Sequence, residues 1–167
     1  MSTSSFGRYL LLEQALPGGL INALINAAIA WASVDPNRLV PFWGESGLFW
    51  DFLITSVVIA PLVTLIVAGI ERAKIKKQGG VAFSLEQSAS VLTGLSLPSL
   101  VAANLLIAVG MCSVILVWVA MSLAEPYSAP VLVGFKTVMA AGIGAVCQAL
   151  TAATVCLSFT VKQTVQP

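Results

Sequence analysis

Two residues of opposite charge, Asp51 and Lys136, lie within long apolar stretches, each close to one end of its stretch. An ionised group at the centre of a membrane helix costs roughly 2.5–3.5 kcal/mol, and less within about two turns of the helix entrance. Opposite signs at similar depth predict an ion pair tying the second apolar stretch to the fourth. Thr55 stands one helical turn from Asp51 and joins it on one face. In the first stretch Gly18, Asn22, Asn26 and Ala30 recur every four residues. That narrow stripe must face protein, because an amide facing lipid loses its hydrogen bonds. Asn26 is expected near the height of Asp51 and Lys136, and Asn104 supplies a further amide in the third stretch. Asn22, Asn26, Asp51, Thr55 and Lys136 are therefore the candidate polar cluster. It either holds helices in register or forms a pocket for a small ligand, ion or proton.

The same inventory removes other chemistries. The chain contains no histidine, the commonest general base and metal ligand. Cys112, Cys147 and Cys156 sit in apolar runs without a CxxC pair, as small packing hydrophobes do. Cys147 and Cys156 are nine residues apart and so point to opposite sides of a helix. A carboxylate with neither histidine nor a second acid beside it is poor equipment for hydrolysis. No catalytic residue, metal site or cofactor is expected.

The elements that must position these groups follow from composition. The 167 residues are 58% hydrophobic and 9% charged, whereas a soluble domain carries about 25% charged residues to cover its surface. Net charge is +1, which offers nucleic acid nothing. Lipid is the plausible solvent, and only helices satisfy every backbone group within one apolar segment. The expected fold is an all-α polytopic four-transmembrane-helix bundle in a single domain, residues 1–167. Its spans are placed at about 10–32, 48–70, 98–121 and 131–159, with a basic inner connection over 71–97. Pro17, Pro98 and Pro130 stand at span entrances, where a missing N–H is harmless. Pro17 is expected to kink a first helix that reaches back through Tyr9, leaving Glu13 to snorkel. Pro61 is expected to kink the second span, with Thr64 near the freed backbone groups. Arg8 followed by an apolar run and Ala30-Trp31-Ala32 imitates a signal peptide, but Asn22 and Asn26 interrupt the run, which is read as an uncleaved span.

Orientation follows from basic residues near span ends. Arg8, Arg72, Lys74, Lys76, Lys77 and Lys162 fall on one side, against Arg38 and Lys136 on the other, which predicts cytoplasmic termini. Trp31, Trp43, Trp50, Trp118 and Tyr127 gather at the opposite, outer interface. There Val40–Gly44 is apolar enough to lie on the membrane surface or to plug the bundle's outer mouth. On the inner side, Ser84 with Gln87 fits a capping box and Leu85, Ala89 and Leu92 share one face, so this connection is either a short interfacial helix or plain loop. The first and third spans open on Leu-Pro, the second and fourth on Trp50-Asp51 and Phe135-Lys136, a faint parallel repeat.

In the fourth span Ala140, Gly144, Gln148 and Ala152 recur at four-residue spacing, with Ala141, Ala145, Ala149 and Ala153 alongside. Small residues let helix backbones approach. One such row serves an internal contact, and the second leaves material for another copy of the chain or another membrane subunit. Asn22 and Asn26 leading to Ala30-Trp31, then Val40-Pro41-x-Trp43-Gly44, Ser46, Asp51, Thr55, Pro61, Thr64 and Phe135-Lys136 resemble uncharacterised bacterial four-span inner-membrane proteins. The resemblance implies a bacterial inner-membrane setting and carries no activity. Two functions are compatible with these residues. The first is an accessory or scaffold subunit or self-associating bundle, and the second is a small transporter or permeation protein with an outer-leaflet polar site.

Overall fold

The computed structural model describes residues 3–35, 37, 39–44, 47–77, 95–122 and 126–164. Helix α1 (Thr3–Arg8), a π-helical segment (Tyr9–Ala15) and α2 (Leu16–Ser33) run on as one continuous first span. Three long helices follow: α3 (Leu48–Lys77), α4 (Leu97–Ser122) and α5 (Ala129–Thr164). Four helices are thus long and apolar enough to cross a membrane, over Phe6–Ser33, Leu48–Lys77, Leu97–Ser122 and Ala129–Ser158. The expected all-α four-span architecture is the one observed. The proposed capping box and interfacial helix over 84–92, like Arg38 and Ser46, lie outside the described residues.

Pro17, Pro98 and Pro130 each occupy the second position of their helix, α2, α4 and α5 respectively. At Pro17 the helix runs on directly from the π-helical segment before it. A proline ring clashes with the carbonyl four residues back, and widening the turn relieves that clash. The Leu16 N–H accordingly reaches five residues back, to the Leu11 carbonyl. Helix α3 passes through Pro61 unbroken, and the Thr64 hydroxyl donates to the Ala60 carbonyl at 2.7 Å.

One boundary differs from expectation. Residues 71–77 belong to α3 and not to the connection. The apolar run stops at Ile70, but Glu, Arg, Ala and Lys are good helix formers, and Lys74, Lys76 and Lys77 complement the carbonyl end of the helix dipole. The buried residues of α3 form one stripe that includes Phe52, Ser56, Ala60, Thr64, Val67, Glu71 and Ile75. In α4 the buried residues are Leu100, Asn104, Ala108, Cys112, Leu116 and Val119, again a single face.

The hub is α5. It packs against α2, α3 and α4, whereas α2 makes no close backbone approach to α3 or α4 among the described residues. Accordingly, 61% of the spanning window of α5 is buried, against 22% in the first span. This explains why Cys147 and Cys156, on opposite sides of α5, are both buried. At the basic end, Phe6, Tyr9, Ile75, Leu97, Val155 and Cys156 pack in one cluster. At the aromatic end, Trp31, Trp43, Trp50 and Trp118 are exposed, as expected of interfacial rings. Tyr127 is an exception. It is buried, because its backbone exchanges two 2.9 Å hydrogen bonds with Val40 and joins the two loops. Val40 and Phe42 are buried with it, so the Val40–Gly44 segment plugs this mouth of the bundle. Gly44 adopts φ 103°, a left-handed conformation that glycine tolerates. The turn it makes lets the Pro41 and Phe42 carbonyls cap the Leu48 and Phe49 N–H groups at the start of α3.

Candidate functional site

The α2–α5 seam sets the geometry. Gly18 of α2 lies so close to Gln148 of α5 that an added Cβ would stand 2.2 Å from the Gln148 side-chain oxygen. One turn along, the relation inverts: a Cβ on Gly144 would stand 2.8 Å from the Asn22 Cβ. Each glycine of one helix thus receives the long side chain of the other. The row Ala140, Gly144, Gln148 and Ala152 is therefore engaged within the chain, with Ala140, Gly144 and Ala152 buried. The second row is engaged too: Ala141 and Ala145 lie against Gly19.

The same antiparallel register carries Ala30 to the level of Lys136. It thereby separates the candidate cluster into two parts. Asn22 and Asn26 lie deeper, in the seam, and return their amide N–H groups to their own helix, to the Gly18 and Asn22 carbonyls at 2.9 Å each. Asn26 is one turn, about 5–6 Å, below the level expected of it. The Thr55 hydroxyl likewise donates to a backbone oxygen, that of Asp51, at 2.6 Å. It does not reach the Asp51 carboxylate.

The expected ion pair is present. Lys136 Nζ donates to Asp51 Oδ1 at 2.7 Å, joining α5 to α3. Its two halves are unequally placed, since the lysine side chain is 8% exposed and the aspartate 42%. Both line a half-open cleft of about 390 Å³, within the size range of small-molecule pockets. One wall is the end of α2, with Ala30, Ser33, Val34 and Asp35. The other is the start of α3, with Trp50, Asp51 and Ile54, and Leu132 and Lys136 of α5 form the floor. The cleft exists because α2 and α3 lean on α5 separately and do not close on each other.

Two polar layers were not assembled from the sequence, although Asn104 and Thr64 were each singled out in it. Near mid-height, the buried Asn104 amide donates to Thr64 Oγ1 at 2.8 Å and Thr151 Oγ1 at 2.9 Å, joining α3, α4 and α5. At the basic end, Glu71 is 2% exposed. Its carboxylate accepts the Tyr9 hydroxyl, the Gln14 amide at 3.2 Å and the Lys74 ammonium at 2.7 Å. Gln148 extends the network by donating to Gln14 Oε1 at 3.2 Å. The π-helical turn places Tyr9 and Gln14 together, with a 2.8 Å hydrogen bond between them, and aims both at Glu71. The signal available in the sequence was the spacing of α3, whose buried stripe continues past the last apolar residue to Glu71 and Ile75. Asp51 and Glu71 are 20 residues apart, so the two charged layers are about 30 Å apart along α3, the thickness of a bilayer's hydrocarbon. The aromatic-end layer opens into the cleft described above. No family model, curated protein or solved structure matches the chain.

Proposed function

We propose that the chain is a small-solute binding protein of the membrane, of the transporter or permeation type, with its site in the outer leaflet. The observation that supports this reading is the ion pair set at the floor of an open cleft between α2 and α3. A pair serving only to hold α3 against α5 needs no adjoining space of about 390 Å³. The basic residues Arg72, Lys74, Lys76 and Lys77 at the far end of α3 favour a cytoplasmic side for that end, which supports reading the cleft as facing outward from a bacterial inner membrane. Ser33, exposed on the cleft wall, provides the test. In a variant with Cys112, Cys147 and Cys156 replaced by alanine, Ser33→Cys is expected to react with a membrane-impermeant maleimide added to intact cells. Solutes that occupy the cleft slow that reaction, and the double variant Asp51→Ala/Lys136→Met abolishes the protection. A Ser33→Cys that reacts only in inverted vesicles would refute the placement.

An accessory or self-associating role keeps one observation in its favour. Among the described residues α5 is the only other span that α2 packs against, and Leu20, Ile21, Leu24, Ile25 and Ile29 are exposed to lipid or to a second chain. Cross-linking between cysteines introduced at Leu24 in separate copies distinguishes the two environments.

A further inference from the structure

The charge and shape of the cleft name a class of occupant. Resting on the outer-site reading above, we infer that the cleft takes a ligand with an ammonium-type cationic head on an apolar body. Lys136 contributes little positive potential to the cleft, because its ammonium is buried and already bound to Asp51 Oδ1. The more exposed half of the pair is the carboxylate. Asp35 adds a second exposed carboxylate on the opposite wall, and its Oδ1 accepts the Asn37 N–H at 2.9 Å. Among the described lining residues, two carboxylates stand against one ammonium, an excess of negative charge. An anion would have to displace Asp51 from Lys136 to be neutralised, whereas a cation binds with the pair intact.

The remaining lining fits the rest of such a molecule. Trp50 is a half-exposed indole, whose face attracts cations and whose body packs against apolar groups. Val34, Ile54 and Leu132 provide apolar walls. The approach is lateral, since α2 and α3 do not meet, and Ile29, Ile54 and Val58 are exposed along it. A solute already dissolved at the interface can therefore enter with its apolar part still in lipid. The head could belong to a free amphipathic cation or to an ethanolamine lipid, and the test separates these sources.

Tetraphenylphosphonium and tetraphenylborate have nearly the same shape and opposite charge. Equilibrium dialysis of purified protein in dodecyl maltoside is expected to show saturable binding of the phosphonium and none of the borate. Asp51→Ala/Lys136→Met, which strands no lone charge, should weaken binding about tenfold. Asp35→Asn, in an exposed loop where folding is not at stake, should weaken it about threefold. Short-chain phosphatidylethanolamine that competes with the phosphonium assigns the head to a lipid. Competition by neither that lipid nor short-chain phosphatidylglycerol assigns it to a free cation. Equal binding of the borate, competition by phosphatidylglycerol, or unchanged binding in both variants overturns the inference. If neither probe binds while other solutes still protect Ser33→Cys, the inferred charge class fails and the outer site stands. If Ser33→Cys is unreactive from outside, the site itself fails.

Discussion

The unequal burial of the Asp51–Lys136 pair gives its two deletions different costs. Asp51→Ala removes the only counter-charge, among the described residues, of an ammonium whose side chain is 8% exposed. Removing one partner of a buried pair typically costs about 3–5 kcal/mol, and the open cleft, which lets some water approach, favours the lower end, about 3 kcal/mol. Lys136→Met leaves behind a carboxylate that is 42% exposed and can return to water, while its methionine fills the volume of the lysine stem. That change should cost about 1 kcal/mol or less, as for exposed pairs. The double variant should resemble Lys136→Met, recovering about 2 kcal/mol relative to Asp51→Ala alone. In folded-to-unfolded ratio, the single aspartate deletion corresponds to a loss of more than about 100-fold. Titration with sodium dodecyl sulfate from dodecyl maltoside micelles, followed by tryptophan fluorescence, measures all three. A Lys136→Met variant less stable than Asp51→Ala, or a double variant less stable than either, would refute the account of which charge the fold shelters.

Further expectations test the other layers by the same titration. Gly144→Ala should cost about 1–3 kcal/mol, because its Cβ would meet the Asn22 Cβ at 2.8 Å; adding Asn22→Ala should recover most of this, and Gly110→Ala, with nothing within 4 Å, should cost nothing. Glu71→Ala should cost about 3 kcal/mol, since it leaves a buried network without its acceptor, whereas Lys74→Ala, whose side chain is 51% exposed, should cost under about 1 kcal/mol. Tyr9→Phe removes one donor from Glu71 and should cost about 1–2 kcal/mol. Pro17→Ala removes the reason for the widened turn. In a background without native cysteines, cross-linking between cysteines at positions 14 and 71 should then fall, because re-tightening the helix rotates residue 14 away from α3.

What could be read from the residues alone depended on whether the deciding physics was local. The spans follow from the cost of exposing backbone to lipid, so their number and approximate limits are written in the apolar runs. The Asp51–Lys136 pair was legible because opposite signs at matching depth have few alternatives. The stripe of Gly18, Asn22, Asn26 and Ala30 was correctly expected to face protein. Its amides were expected to reach other helices, yet they bond to their own carbonyls, a choice fixed by the closeness of Gly144 and α5. Glu71 was passed over because a charge after an apolar run reads as the start of a loop; only packing by the first span reveals it as buried. The π-helical turn was equally hidden, as Pro17 signals an irregularity without fixing its form, and the donors gathered at Glu71 favour a widened turn.

That the hub is the last helix has a consequence for how the chain is made. During synthesis the first span leaves the ribosome with Gln14, Asn22 and Asn26 along the side that α5 will later cover. Until more than a hundred further residues have been added, that polar side has no permanent neighbour in the bilayer. Whatever shelters it in the interval, whether the insertion machinery or a shallow position at the lipid surface, must release it when α5 arrives. Truncation before Ala129 should therefore yield a first helix that is retained or degraded, while the α3–α4 contact is already complete.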